Sequence, residues 1–165
     1  MPVTIYTMAK KKKSSKKPGA ILNRRAKFDY ELGEDIVAGI VLTGPEVRAA
    51  RDGHIQLRGS FVSIRNNELW LNNASFSLII QKKNDPNNRT IDTSPRKLLV
   101  HNNQIKDLSN KLKQGMTIIP TKLLNTGRHI KIVIALGKGK KNYDKRETLK
   151  RRDQERDAAR SMKNF

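Results

Sequence analysis

Between Met116 and Leu136 the chain is patterned as a β-hairpin. Two apolar runs, Met116–Leu124 and Arg128–Leu136, flank Asn125-Thr126-Gly127. In the second run Ile130, Ile132 and Ile134 alternate with Lys131 and Val133. Side chains along a strand point to opposite faces in turn, so a period of two predicts a strand with one face against a core. The same pattern recurs upstream. Phe61–Ile64 and Glu68–Leu71 flank Arg65-Asn66-Asn67, with Leu69 and Leu71 alternating with Glu68 and Trp70. Asn and Gly tolerate the left-handed backbone that tight hairpin turns need. Ser75–Gln81 continues as a further strand. Phe28–Leu42 is rich in β-formers, and its Gly33 and Gly39 predict a bulge or bend in one long strand. Lys82–Pro95, with its Asn, Pro and Ser-Pro content, reads as a long polar loop.

Two short helices interrupt these strands. Gly44–Arg51 follows Thr43. Gln104–Gln114 places Ile105, Leu108 and Leu112 on one stripe, and Gly115 is a natural stop. A mainly β fold follows, with about six short strands and glycine corners that suggest a small closed or partly closed barrel. Barrels of this size often bind oligonucleotides, but fold alone does not set function.

Charge narrows the function. The 165 residues include 35 Lys and Arg against 15 Asp and Glu, a formal net charge of +20. Such a charge favours polyanions, with nucleic acid first and an anionic membrane surface second. The charge is uneven. Residues 1–19 carry six Lys and no acid, residues 20–136 carry 18 basic and 10 acidic residues, and residues 137–165 carry 11 basic and 5 acidic ones. The expected organisation is therefore a disordered Lys-rich arm over 1–19, a barrel over 20–136 and a basic tail over 137–165. Met8-Ala9-Lys10 reads like a natural start, which would make Met1–Thr7 an upstream extension. The apolar fraction of 36% is too low to place the whole chain in a core.

Several chemistries drop out. With no Cys there is no disulfide framework, thiolate metal site or thiol nucleophile. His54, His101 and His129 show no short ligand spacing, and nothing pairs them with a nucleophile. No apolar run approaches the ~18 residues of a membrane span. The basic start is followed by no apolar segment, so it is no secretory signal. A phosphate-cradling Gly-x-x-x-x-Gly-Lys-Ser/Thr loop is absent. Asp29, Glu31, Glu34 and Asp35 cluster in sequence but lack a basic or metal partner for acid–base work. What remains is a soluble, intracellular, very basic protein, in which no pattern calls for a cofactor.

One stretch is more specific. Ala38-Gly-Ile-Val-Leu-Thr-Gly-Pro-Glu-Val-Arg-Ala-Ala-Arg51 resembles the signature of the SmpB family, the SsrA-binding proteins of bacterial trans-translation. Three further motifs follow the family pattern in order: Asn23-Arg-Arg-Ala26, Pro95-Arg-Lys-Leu-Leu99 and Gly139-Lys-Lys-Asn-Tyr-Asp-Lys-Arg146. Met162-Lys-Asn164 resembles the end of the family's tail. Together they cover residues 20–165. Two positions depart from the pattern: Gly59 stands where the family usually has an acid, and Gly137 where it usually has Ala. The resemblance implies an OB-fold-like barrel with small helices and a C-terminal tail disordered in isolation, becoming helical on the ribosome. It implies binding to the tRNA-like domain of transfer-messenger RNA (tmRNA), as a monomer on that RNA. It also implies carriage of the RNA into the A site of a ribosome stalled on a broken message. Elongation factor Tu is an indirect partner, and peptidyl transfer belongs to the ribosome.

The resemblance also implies roles for residues, each beside a plainer reading. Arg24, Arg25 and Lys27 would contact phosphates of the tRNA-like elbow, with Asn23 accompanying them in the RNA-binding set; the plainer reading of the three cations is charge at a domain edge. Glu46 would accept donors from RNA, yet Thr43-Gly-Pro-Glu46 is also a helix capping box, which alone accounts for an acid. Arg48, Arg51, Arg96 and Lys97 either meet phosphate or face solvent. Lys138, Lys140, Lys141, Lys145 and Arg146 surround Tyr143 and Asp144, and the glycines at 137 and 139 would let backbone approach a phosphate ridge. Tyr143 offers a stacking face for an unpaired base, at the decoding centre in the family. Residues from Asp144 to Phe165 hold no Gly or Pro and can form a helix, with Glu147 and Arg151 as an i,i+4 pair. Arg152, Arg156, Arg160 and Lys163 form a basic stripe, with Met162 as a distal contact. The tail is expected to fold in the empty mRNA channel. A generic basic ribosomal or RNA-chaperone protein fits the charge layout and strand pattern as well; only the motifs discriminate.

Overall fold

The computed structural model describes residues 19–79 and 89–163. The Lys-rich arm expected over 1–19 lies, except for Gly19, outside the described residues, as does the first half of the expected polar loop. The elements run β1 (Ala20–Leu22), α1 (Arg24–Asp29), β2 (Tyr30–Ile40), α2 (Gly44–Asp52), β3 (Ile55–Gln56), β4 (Phe61–Arg65) and β5 (Glu68–Asn72). They continue with β6 (Ser75–Ile79), β7 (Arg89–Asp92), β8 (Arg96–Leu99), α3 (Asn102–Lys113), β9 (Thr117–Leu124), β10 (Lys131–Gly139) and α4 (Asn142–Lys163). The fold is mainly β, with a few helices.

Seven strands form one antiparallel sheet in the order β1-β9-β10-β2-β8-β5-β4. Val62 of β4 also pairs with Ile118 of β9. The pairings therefore run from β4 through β5, β8, β2 and β10 to β9 and return to β4. β3, β6 and β7 form a smaller sheet. Both expected hairpins are present. Asn66 and Asn67 turn β4 into β5 with φ of 50° and 59°, the left-handed geometry of a two-residue hairpin loop. β9 and β10 pair from Leu124↔Lys131 to Thr117↔Gly137.

The inward faces meet in one core. Leu69, Leu71, Phe76, Ile118, Leu123, Ile132 and Ile134 are all fully buried. Each such side chain contributes roughly 1.5–3 kcal/mol of burial. α3 covers the core with Ile105 and Leu108, two residues of the expected stripe. Gly115 follows this helix with φ 79° and donates to Leu112 O, as a stop should.

Two bulges shape the long strands. Opposite β10 the register of β2 slips, so that Gly33 and Glu34 face the single Leu136. This is the irregularity that Gly33 foretold. In β9 the register slips at Thr121, beside Pro120. Pro has no N–H for the ladder, and a bulge is where a strand tolerates it.

Three expectations are corrected. The expected strand from Phe28 is preceded by a six-residue helix, α1, which ends at Asp29. The long polar loop contains a strand, β7, paired with β6. β10 continues through Gly137 to Gly139, so Gly137 is buried in a ladder and its backbone is not open to a phosphate ridge. The tail forms a helix, α4, over 22 residues, as its freedom from Gly and Pro allows. Intrahelical pairs support it: Arg151 meets Glu155 at 3.4 Å, one turn on from the expected Glu147, and Arg160 meets Asp157 at 3.8 Å. Arg156 pairs with Asp153.

Candidate nucleic-acid interface

Asn23 sets the position of α1. Its Nδ2 donates to Leu57 O and to Pro120 O, both at 2.9 Å, and its Oδ1 accepts from Ala26 N at 3.3 Å. One side chain thus caps the helix and ties it to β9 and to the loop after β3. The bulge at Thr121 lies beside this tie, and Asn23 N donates to Thr121 O at 2.8 Å. Asn23 is only 7% exposed, so its polar atoms serve the fold. The cap turns Arg24, Arg25 and Lys27 outward, and all three are exposed. Arg25 lies over the Phe28 ring at 4.9 Å and donates to Asp29 at 2.8 Å.

Glu46 and Arg96 also lie inside, 6% and 4% exposed. Arg96 Nε donates to Glu46 Oε1 at 2.7 Å. The other guanidinium nitrogens reach Ala74 O, Ser94 O and the Asp92 carboxylate, and the guanidinium stacks on Phe76 at 3.9 Å. Glu46 Oε2 accepts from Thr43 N at 2.7 Å and from Thr43 Oγ1 at 2.8 Å. The capping geometry is therefore present on the carboxylate side, and the hydroxyl donates to the same oxygen. Burial alone would raise the Glu46 pKa, but the bonds from Thr43 and Arg96 outweigh it and hold the carboxyl below its ordinary value. This pair fixes the start of α2 to β8. Both carboxylate oxygens and every guanidinium nitrogen already have a partner within the protein.

Arg48 projects from α2 into solvent, beside a cleft of about 480 Å³ shared with Pro45, Asp52 and His54. Arg51 is half-buried and donates to Gly127 O and Arg128 O at 3.3 and 3.2 Å, bracing the β9–β10 turn. Lys97 pairs with Glu68 on the neighbouring strand.

The root of the tail meets α1. Lys140 N donates to Asp29 O at 3.0 Å, and Lys140 Nζ donates to Lys27 O at 3.1 Å. Lys145 reaches the Asp29 carboxylate at 3.2 Å. Burial works to raise the Asp29 pKa, while the hydrogen bonds and charges of Arg25 and Lys145 carry it below the usual value. Lys138, Lys141 and Arg146 stay exposed around this junction, and Tyr143 is 63% exposed. Asp144 and Lys145 are half-buried in the first turns of α4. Further along, Arg152, Arg156 and Met162 face solvent, and Lys163 closes the helix. The structure thus joins the motif at 23–26 to the motif at 139–146 through Asp29. Two of the four clustered carboxylates do have basic partners: Asp29 pairs with Arg25 and Lys145, and Asp35 pairs with Lys122 at 3.4 Å. Among the described residues no group of acids and His converges to hold a metal ion. Arg58, exposed in the loop after β3, is a further cation near α1 that no motif pointed to.

A family model described as SmpB protein matches residues 20–164. The chain belongs to the SmpB family. An SsrA-binding protein of Ligilactobacillus salivarius (strain UCC118) is 42% identical over 158 residues, covering 93% of this chain and 98% of that protein. The SsrA-binding protein of Streptococcus pyogenes serotype M18 is 44% identical over 146 residues, covering 87% and 91%. A chain of the solved structure described as "tmRNA-SmpB: a journey to the center of the bacterial ribosome" superposes with a TM-score of 0.58 at 34% identity. That match covers 76% of this chain and 87% of that one. Both departures from the SmpB pattern have physical counterparts. Gly59 has φ 74°, where a side chain would be strained. A Cβ on Gly137 would stand 2.8 Å from Ile119 Cδ1 and 3.1 Å from Tyr30 Cβ.

Proposed function

We propose that this chain is an RNA-binding adaptor that holds the tRNA-like domain of tmRNA and brings it to the A site of stalled ribosomes. The match to the SmpB family across residues 20–164, tail included, carries the reading. The exposed cations of α1 and of the tail root agree with it. SmpB is an RNA-binding family, and the ribosome supplies the peptidyl transfer. Work on the ribosome places the chain in the cytoplasm; among the described residues no helix is long and apolar enough to cross a membrane.

In this reading the ring of pairings from β4 to β9 is an OB-like barrel and residues 20–136 its main body. Arg24, Arg25, Lys27, Arg48, Arg51 and Lys97 meet RNA phosphates, as a monomer on one RNA. Asn23, Glu46 and Arg96 act as positioning residues, because each is buried with its polar atoms bonded to protein. Tyr143 offers its face to an unpaired base of small-subunit RNA at the decoding centre. Lys138, Lys140, Lys141, Asp144, Lys145 and Arg146 flank it. α4, through Arg152, Arg156, Met162 and Lys163, enters the mRNA channel when no message fills it. At ~1.5 Å per residue its 22 residues span about 33 Å. Elongation factor Tu takes part indirectly, as the carrier of the charged RNA.

RNA recovered with the purified chain tests the reading directly. One abundant tRNA-like species is the expected result; a mixture of ribosomal RNA fragments would favour a generic RNA chaperone.

A further inference from the structure

Between the core and the tail helix lies an open cleft of about 620 Å³. Arg24 and Arg25 of α1, Arg58 of the loop after β3 and Arg152 of α4 line its rim. Its floor is apolar, with Ile21 of β1, half-buried Phe28 of α1, buried Leu57 of the loop after β3 and exposed Leu149 of α4. No acid is among its lining residues. The tail is held beside it by the Lys140 and Lys145 contacts to Asp29 and Lys27. Arg58 and Arg152, 94 positions apart in sequence, thus share one wall-and-rim arrangement.

We propose that this cleft is a binding site for one unpaired nucleotide of an RNA ligand, built jointly by core and tail. Three guanidiniums, of Arg24, Arg58 and Arg152, beside an apolar floor match a nucleotide part by part, while Arg25 is held by Asp29. Guanidinium forks pair with phosphate oxygens in two parallel hydrogen bonds. The apolar floor takes the face of a base that has left its stack. A volume of this order suits a small organic ligand. A paired duplex presents phosphates but no free base face, so the floor selects for unpaired RNA. The inference rests on the adaptor reading and deepens it, since the tail becomes a part of the RNA site before any ribosome is met. Arg58 and Arg152 are the residues that distinguish it, because neither belongs to a tRNA-like-elbow motif.

The test uses the full chain and two RNAs of equal charge, a tRNA-like hairpin with a fluorescent purine in an unpaired loop and a blunt duplex. The wild-type chain is expected to prefer the loop RNA and to change the purine's fluorescence as it stacks. Arg58→Ala and Arg152→Ala are each expected to weaken loop binding about 10-fold. Each should also lower the salt slope by about 0.7–0.9. Loss of the preference for loop over duplex in both variants supports the cleft. Variants that keep wild-type affinity and preference overturn the cleft alone. A wild-type chain that binds neither RNA overturns the adaptor reading and the cleft with it.

Discussion

At the scale of single residues, three polar side chains of the family motifs serve the fold before any ligand. Glu46 and Arg96 neutralise one another inside the protein. Removing one partner of a buried pair leaves an uncompensated charge, at a cost of about 3–5 kcal/mol. Arg96→Met should therefore lower unfolding free energy by that amount in denaturant titrations, with RNA affinity lost through unfolding rather than through a missing contact. Acid should act on the same pair. The folded Glu46 pKa lies below its ordinary value of 4.5, so its stabilisation is complete above that pH and is lost as pH falls through the folded value. Asp29 and Asp92 are shifted in the same direction. Thermal melts at successive pH values should show Tm dropping below about pH 4.5 in the wild-type chain, with a smaller drop in Glu46→Gln. Gly137 makes a different point. An Ala there must push aside Ile119 and Tyr30. Crowding of this kind costs about 1–3 kcal/mol, and a less flexible unfolded chain returns about 0.4–1. The substitution should lower stability by about 1 kcal/mol as read by denaturant midpoint, whereas a clear gain would show that β2 and β9 yield easily.

Among the elements, the junction of α1 with α4 matters most. Asp29 takes Arg25 from its own helix and Lys145 from the tail. Exposed pairs are weak, about 0–1 kcal/mol each. Asp29→Asn should leave the core's melting nearly unchanged while making α4 more open to protease, a split that limited proteolysis beside a thermal melt would reveal. Equal protection of α4 in both chains would remove Asp29 from this role. The sequence made some of these elements plain and hid others. The hairpins β4–β5 and β9–β10 were readable because strand period and turn residues lie within a few positions of one another. α3 was readable from three apolar residues and a stop. α1 was not, because its six residues are held by Asn23 reaching Leu57 and Pro120, 34 and 97 positions away. β7 was hidden in polar sequence and exists through pairing with β6. The pairing of Glu46 with Arg96 spans 50 positions and left no local trace. The motifs singled these residues out; only the fold says that three of them point inward.

For the whole molecule, the question is whether the +20 charge acts as one cloud or as separate sites. The positions of the cations favour separate sites. Those on α1 and α2 surround the core, while eight of the basic residues lie in 142–165. Several of the latter pair within α4, as Arg151, Arg156 and Arg160 do. A chain ending at Lys141 keeps β10 whole and distinguishes the two cases. If affinity for a tRNA-like RNA came from diffuse charge, losing eight cations would flatten the salt dependence in proportion. If the core holds the RNA and only Arg152 joins it, the slope should fall by about 0.7–0.9, the value of one phosphate contact. The same truncation should abolish rescue of ribosomes that lack message beyond the A site, because the helix that would fill the channel is gone. Binding isotherms at several salt concentrations, beside a rescue assay on truncated and long messages, measure both. A chain ending at Lys141 that rescues as well as the full one would separate the tail from message sensing, even with RNA binding intact.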